Sequence, residues 1–154
     1  MRKIIIGVMG PGNGASECDR ANAYELGKLI AQQGWVLLTG GRNTGVMDAA
    51  CCGAKAANGL TLGILPTASD RGLSQSVDIA IITGMGNARN NINVLSCDVV
   101  IACGMGTGTA SEVALALKAK KIVVLLTDNQ ESQRFFKSLS NGSIFAATHP
   151  EAAI

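Results

Sequence analysis

The sequence predicts an α/β protein: a Rossmann-like, doubly wound and mainly parallel sheet of about seven strands with helices on both faces. Short β-branched runs alternate with helical segments along the chain, which favours parallel strands joined by right-handed crossovers. The hydrophobic fraction is 47% although aromatic residues make up only 3%, so the core is aliphatic, as in strands buried on both faces. At 154 residues, a single ligand-binding domain over 1–154 is expected.

The first half of the chain alternates between strand and helix signals. A β-branched run predicts a strand, a serine before a helical segment predicts an N-cap, and a proline closes an aliphatic run. The predicted elements are a strand at 3–9, a helix capped by Ser16 that runs to about Gln33, a strand at 35–39, an alanine-rich helix at 46–58, and a strand at 60–65 closed by Pro66.

The second half begins with a polar segment, 67–76, which predicts a surface loop near the ligand face. The alternation then resumes with strands at 77–83, 98–102, 122–126 and 143–147, and helices at 86–95, from Thr107 to Lys118, and at 131–139. In parallel sheets, ligands lie beyond the carboxyl ends of the strands. The glycine loops that follow four of the strands are therefore expected to meet at one edge. These loops are 10–14, 40–45, 84–86 and 104–108.

These loops predict a site for a phosphate-bearing small molecule. Glycine lets a ligand lie directly against the main chain, and the free amides of a helix start attract an anion. Thr107, Thr109 and Glu112 add polar groups in the first turns of one helix, and Arg89 supplies a guanidinium that can bind a phosphate through two hydrogen bonds. The candidate binding residues are Gly10, Gly12, Asn13, Gly14, Gly40, Gly41, Thr44, Gly45, Arg89, Asn90, Gly106, Thr107, Gly108, Thr109 and Glu112.

Each of these signals also has a purely structural alternative. Tight strand-to-helix connections need glycine whether or not a ligand binds. Arg89 has the alternative of capping a helix or pairing with Asp98 or Glu112. For Glu112 the alternative is a helix-start carboxylate that the helix dipole favours.

Several common chemistries are disfavoured. The motif G-x-G-x-x-A at 10–15 matches a loose dinucleotide fingerprint, but no carboxylate follows the second strand to hold an NAD ribose. Arg42 stands there instead, either as a partner for an NADP phosphate or as an exposed loop residue. The 106–109 loop lacks the lysine of a Walker motif. With His149 as the only histidine, neither a Ser-His-Asp hydrolase nor a metal site is predicted.

Charge and cysteine content narrow the class of protein further. The formal net charge is +2 and no long basic run occurs, so neither nucleic acid nor a membrane surface is expected as a partner. The five cysteines are odd in number and lack a framework spacing. They are expected to be reduced thiols in a cytoplasmic protein.

The stretch 104–112, Gly-Met-Gly-Thr-Gly-Thr-Ala-Ser-Glu, resembles the P-G-G-x-G-T-x-x-E motif of the Lonely-Guy or lysine decarboxylase-like Rossmann superfamily. Arg89 lies 23 positions before Glu112, at the spacing of the arginine in that superfamily. The upstream stretch 40–47 resembles its second glycine motif. The resemblance implies a catalytic role for Arg89 and Glu112 if the protein cleaves the N-glycosidic bond of nucleoside 5′-monophosphates.

The chain also departs from that motif. Gly104 and Met105 replace its proline and first glycine, and Asn90 replaces the lysine that follows the arginine. The chain is compact, with the stretches Gly-Met-Gly-Asn-Ala-Arg-Asn at 84–90 and Gly-Thr-Ala-Ser-Glu-Val-Ala-Leu-Ala at 108–116. In these features it resembles the branch that includes the molybdenum cofactor carrier proteins. That resemblance implies that the chain holds the molybdenum cofactor (molybdopterin) without transforming it. It also implies a homo-oligomer, dimer or tetramer, with molybdoenzymes or cofactor-synthesis proteins as partners.

The leading prediction is therefore a molybdenum cofactor binding protein that has no catalytic residues. The alternatives are a nucleoside 5′-monophosphate phosphoribohydrolase of the cytokinin-activating type and a nucleotide-binding sensor. Self-association is expected through the small, apolar helical stretches 49–57 and 114–119, whose alternative is packing within the chain.

Overall fold

Seven parallel strands form one sheet in the computed structural model, which describes Met1–Ile154. The spatial order β4-β3-β2-β1-β5-β6-β7 places β1 at the centre, between β2 and β5. Every strand pair is parallel, which confirms the predicted sheet. The strands are β1 (Ile5–Met9), β2 (Val36–Thr39), β3 (Leu60–Leu65), β4 (Ile79–Ile82), β5 (Val99–Cys103), β6 (Ile122–Leu126) and β7 (Ile144–Ala147).

Five helices cover the two faces of the sheet. They are α1 (Glu17–Gln32), α2 (Gly45–Ala56), α3 (Arg89–Ser96), α4 (Thr107–Lys118) and α5 (Gln130–Leu139). Buried aliphatic residues of α1 and α2 share one core cluster, and buried hydrophobic residues of α3, α4 and α5, the last of these Phe136, share the other. The prediction of a doubly wound sheet is confirmed. None of the helices is both long and apolar enough to cross a lipid bilayer.

The two helices on the first face cross in very close contact. A Cβ atom on Gly27 would lie 2.0 Å from the Ala50 carbonyl oxygen, and one on Gly53 would lie 1.8 Å from the Tyr24 carbonyl oxygen. Ala50 and Ala54 are consequently buried within the chain. For these two residues of the 49–57 stretch, the alternative of packing within the chain is confirmed, because α1 already covers them.

The direction in which strands are added reverses beside β1. The first four strands extend to one side of the sheet and β5 to β7 extend to the other, so the loops after β1 and β5 separate at their carboxyl ends. Such switch points leave a crevice in which parallel α/β proteins bind ligands.

The helix cap at Ser16 is as predicted. The Ser16 Oγ accepts a hydrogen bond from the Asp19 amide at 3.0 Å, and the Asp19 carboxylate accepts one from the Ser16 amide.

The 67–76 segment has no regular structure, as predicted, but its second half is anchored to the protein. Leu73 forms an antiparallel bridge with Arg42. Ser74 is buried, and its hydroxyl donates to the Asp48 carboxylate at 2.6 Å. The loop after β2 is thereby held against this segment and does not extend freely into solvent.

Candidate ligand-binding cavity

A cavity of about 400 Å³ opens at the carboxyl ends of the strands, beside the switch point. This edge is where the glycine loops were expected to converge. Loops after β1, β2 and β5 all contribute to the wall, together with the starts of α3 and α4. Of the predicted binding residues, those on the wall are Gly10, Gly12, Asn13, Gly14, Gly40, Arg89, Asn90, Gly106, Thr107, Gly108, Thr109 and Glu112.

Three predicted residues, Gly41, Thr44 and Gly45, lie behind the wall and shape its loops. A Cβ atom on Gly45 would lie 2.1 Å from the Gly12 carbonyl oxygen, and its φ of +57° is left-handed, so only glycine fits there. Gly41 turns against the main chain of β3 with φ +76°. The Thr44 hydroxyl donates to the Asn13 side chain at 2.7 Å. These residues bring the start of α2 against the loop after β1.

The start of α4 is open toward the cavity. Its N-cap is Gly106, which has no side chain to accept a hydrogen bond, in contrast to the capping box of α1. The amides of Thr107, Gly108 and Thr109 have no main-chain partner, and the first helical bond runs from Ala110 to Gly106. The Thr109 hydroxyl oxygen is also buried without a hydrogen-bond partner. This combination suits an anion, which would accept from the free amides and the hydroxyl.

A second row of free amides faces the same cavity from the loop after β1. Gly12, Asn13 and Gly14 line the wall, and their amides make no main-chain hydrogen bond. The loop is held close to β5, because a Cβ atom on Gly10 would lie 2.3 Å from the Cys103 carbonyl oxygen. The cavity therefore presents unpaired N–H donors from two neighbouring strand ends.

Arg89 is fixed by the interior of the protein. Its Nε donates to the Ile64 carbonyl at 2.8 Å, Nη2 to the Gly40 carbonyl at 3.3 Å, and Nη1 to the Asn90 side chain. Burial lowers the pKa of Arg89, nearby Glu112 raises it, and Arg42 lowers it. The alternative pairing with Asp98 is wrong, because that carboxylate binds Arg2 and the Ile5 amide.

Glu112 is buried on the cavity wall. Its Oε1 accepts a hydrogen bond from the Asn93 side-chain nitrogen at 3.0 Å. Burial raises the pKa of Glu112 to about 7, against the opposing effects of Asn93 and Arg89. Glu112 and Arg89 form no ion pair within 4.0 Å, so the structural pairing of these two residues is also absent. Near neutral pH this carboxyl group can either accept or donate a hydrogen bond to a ligand.

Some residues on the wall were not among the predicted binding residues. Pro11, Met47, Pro66 and Asn87 line the cavity. Pro11 and Met47 lie within the motifs at 10–15 and 40–47 but were not selected from them. Arg42 was weighed as a partner for an NADP phosphate or as an exposed loop residue, and it lies on the same wall as Arg89. Their one sequence signal was position, since each lies within a few residues of a glycine loop or of Arg89.

The parallel sheet and the amide-lined cavity at its switch point define a Rossmann-like protein of the kind that binds a small ligand at the carboxyl edge. The chain belongs to the SLOG cluster4 family, whose sequence profile matches residues 3–154. The motif-based resemblance to the Lonely-Guy-like superfamily is confirmed.

Known proteins are similar over most of the chain. The structure of the molybdenum cofactor binding protein from the phototrophic bacterium Rippkaea orientalis has 63% identity and a TM-score of 0.98, covering 99% of this chain and 94% of that one. The Moco carrier protein from Chlamydomonas reinhardtii has 55% identity and a TM-score of 0.92, covering 99% and 93%. An uncharacterized protein of Archaeoglobus fulgidus has 46% identity over 129 residues, 82% of each chain.

Proposed function

We propose that this protein binds the molybdenum cofactor (molybdopterin) and stores, protects or delivers it without a chemical step. The observation that carries the proposal is the start of α4, where three free amides and the buried, unpartnered Thr109 hydroxyl face one cavity. The similarity to structures described as molybdenum cofactor binding and carrier proteins supports the same ligand.

The cavity fits a phosphate-bearing pterin in size and chemistry. Its volume of about 400 Å³ lies within the range of about 300–1,000 Å³ that small-molecule sites occupy. The amides at the start of α4 suit the phosphate. Glu112 and the Thr107 hydroxyl supply polar groups for the edge of the ring.

The arginine and its neighbour support binding without catalysis. The Arg89 guanidinium is held by two main-chain carbonyls and by Asn90, which stands where the superfamily motif has a lysine. The Asn90 side-chain nitrogen donates in turn to the Ser111 hydroxyl at 3.0 Å. Asn90 therefore ties Arg89 to α4 and adds no second cation.

Co-purification tests the proposal. Protein from cofactor-producing cells is oxidised, and the fluorescence of the released pterin is measured. Thr109→Val is expected to retain about tenfold less pterin, because one hydrogen bond to an anion is lost and a hydroxyl on the wall becomes a methyl group.

Thr148→Val is the matched control, since Thr148 is exposed and lies outside this cavity. It is expected to retain as much pterin as the wild type. A wild-type protein that neither carries pterin nor binds added cofactor would refute the proposal.

A second candidate is phosphoribohydrolase activity on nucleoside 5′-monophosphates. The observation that favours it is the raised pKa of Glu112, about 7, beside a buried arginine, because a general acid works best near the ambient pH. Incubation with AMP and cytokinin monophosphates distinguishes the two functions. Release of free base that is lost in Glu112→Gln would overturn the carrier proposal.

We also propose that the protein is cytoplasmic and forms a homo-oligomer, a dimer or a tetramer. All five cysteines are free thiols, which is typical of a reducing compartment. Strand β4 exposes isoleucines at a free edge of the sheet, which supports self-association. Molybdoenzymes or cofactor-synthesis proteins are the partners proposed for delivery.

A further inference from the structure

Charge on the cavity wall is unbalanced. The charged residues that line it are Arg42, Arg89 and Glu112. Glu112 loses part of its negative charge at neutral pH, because burial raises its pKa to about 7. Two guanidinium groups thus face one carboxyl group that is only partly ionised, and a bound ligand has to supply the missing negative charge.

Arg42 is available to a ligand. It is exposed and takes part in no ion pair. Its backbone is nevertheless fixed, because the Asn43 amide donates to the Gly72 carbonyl at 2.8 Å and the Ser74 amide donates to the Gly41 carbonyl at 2.9 Å. A fixed main chain that carries an unpaired cation at the rim of a cavity is suited to hold an anion.

Arg89 has unused N–H donors that can bind the same anion. A guanidinium has five N–H donors, of which three are used in intramolecular hydrogen bonds. Arg42 is close enough to Arg89 to contribute to lowering its pKa. An anion placed between the two guanidinium groups would relieve this repulsion.

Arg42 and the start of α4 lie at different strand ends. Arg42 follows β2 and the free amides of α4 follow β5, with β1 between them. Neighbouring strands are about 4.8 Å apart, so the main chain at these two strand ends is separated by about 10 Å. Arg89 lies between them, since it donates to the Gly40 carbonyl after β2 and is tied to α4 through Asn90. A ligand with two anionic groups can therefore occupy both ends at once.

We propose that Arg42 and the free donors of Arg89 form a second anion subsite, so that the ligand carries a phosphate on α4 and another anionic group, an oxometalate, on the arginines. This inference rests on the proposed function and specifies the class of ligand. Arg42 is then a specificity-determining residue that distinguishes such a ligand from a nucleoside monophosphate, whose only anionic group is its phosphate.

Isothermal titration of the ligand-free protein with molybdate and with inorganic phosphate tests the two subsites. Both anions are tetrahedral and can occupy either subsite, so each is expected to bind at two sites per chain. Arg42→Gln is expected to weaken one of these sites about tenfold and to leave the other within about twofold, because it removes a charge-assisted contact at one subsite alone. Thr109→Val is expected to weaken the other site, and the double variant both.

Arg71→Gln is the matched control, since it removes an exposed arginine from the neighbouring 67–76 segment that does not line the cavity. It is expected to change neither affinity. No binding of molybdate to the wild type, a single bound anion per chain, or equal losses in Arg42→Gln and Arg71→Gln would overturn the second subsite. The pterin assay is separate, so loss of pterin binding with both anion subsites intact would refute the carrier function alone.

Discussion

At the scale of single residues, Glu112 is a buried group whose protonation changes close to neutral pH. It is buried beside Asn93, whose side-chain oxygen has no hydrogen-bond partner. Burial raises its pKa from 4.5 to about 7. The folded protein therefore holds a proton that the unfolded chain releases over this interval, and the resulting stabilisation is present below pH 4.5 and lost as pH rises to about 7.

We predict that Glu112→Gln removes this pH dependence. Between pH 5 and pH 6.5, the unfolding free energy of the wild type is expected to fall relative to the variant by up to about 1.4 kcal/mol per pH unit, the limiting value for one proton. Denaturant unfolding at several pH values measures this change of the unfolding free energy with pH. Glu131→Gln, at an exposed position of α5, serves as the control and should parallel the wild type. Parallel profiles for Glu112→Gln would show that Glu112 is ionised throughout this range.

At the scale of elements, the crossing of α1 and α2 determines how closely the loops after β1 and β2 approach. Gly27 and Gly53 allow the two helices to touch through their backbones. The start of α2 is then held by the hydrogen bond from the Val46 amide to the Pro11 carbonyl at 3.0 Å. Two loops of the cavity wall therefore depend on a helix contact outside the cavity.

Gly53→Ala tests the close crossing of α1 and α2. The added methyl group would lie 1.8 Å from the Tyr24 carbonyl oxygen, and the forced separation of the helices is expected to lower the unfolding free energy by about 1–3 kcal/mol. Gly108→Ala is a suitable comparison, because an added Cβ there meets nothing within 4 Å. It should be neutral or slightly stabilising by helix propensity. Equal effects of the two substitutions on chemical denaturation would argue against the close crossing.

At the scale of the whole molecule, the two edges of the sheet differ. Strand β7 is partly protected, since Ile144 and Ala147 are buried. All four residues of β4 are exposed, and Ile79, Ile81 and Ile82 are 46%, 41% and 43% exposed. A free strand edge with apolar side chains on both faces favours association with another chain.

Ile81→Lys is predicted to dissociate the proposed oligomer, because it places a charge in the apolar contact proposed at β4. Light scattering measures the mass, and circular dichroism checks that the fold is retained. Ile122→Lys introduces the same charge at an equally exposed isoleucine at the start of β6, distant from β4. It should leave the mass unchanged. A wild type that is already monomeric would refute self-association.

Much of the cavity followed from local sequence. The loops 10–14 and 104–108 were predicted to lie at one edge because glycines follow aliphatic strands, and residues 10–14 and 106–108 line the cavity. Arg89 was predicted from its place after the fourth strand, beside the glycine loops, and its spacing to Glu112 added the resemblance to the superfamily. The contribution of Arg42 was not predicted, because it depends on the bridge to Leu73, a contact with a segment that has no periodic pattern.

The amino-acid sequence by itself determined the order of strands and helices, the aliphatic core and the unpaired amides at the start of α4, because these depend on short-range periodicity and capping. Only the tertiary structure decided which alanines are covered, that β4 is a free edge, and that Arg42 and Arg89 share one wall. These features arise from pairing between segments far apart in the chain, and no local pattern specifies the spatial order of parallel strands.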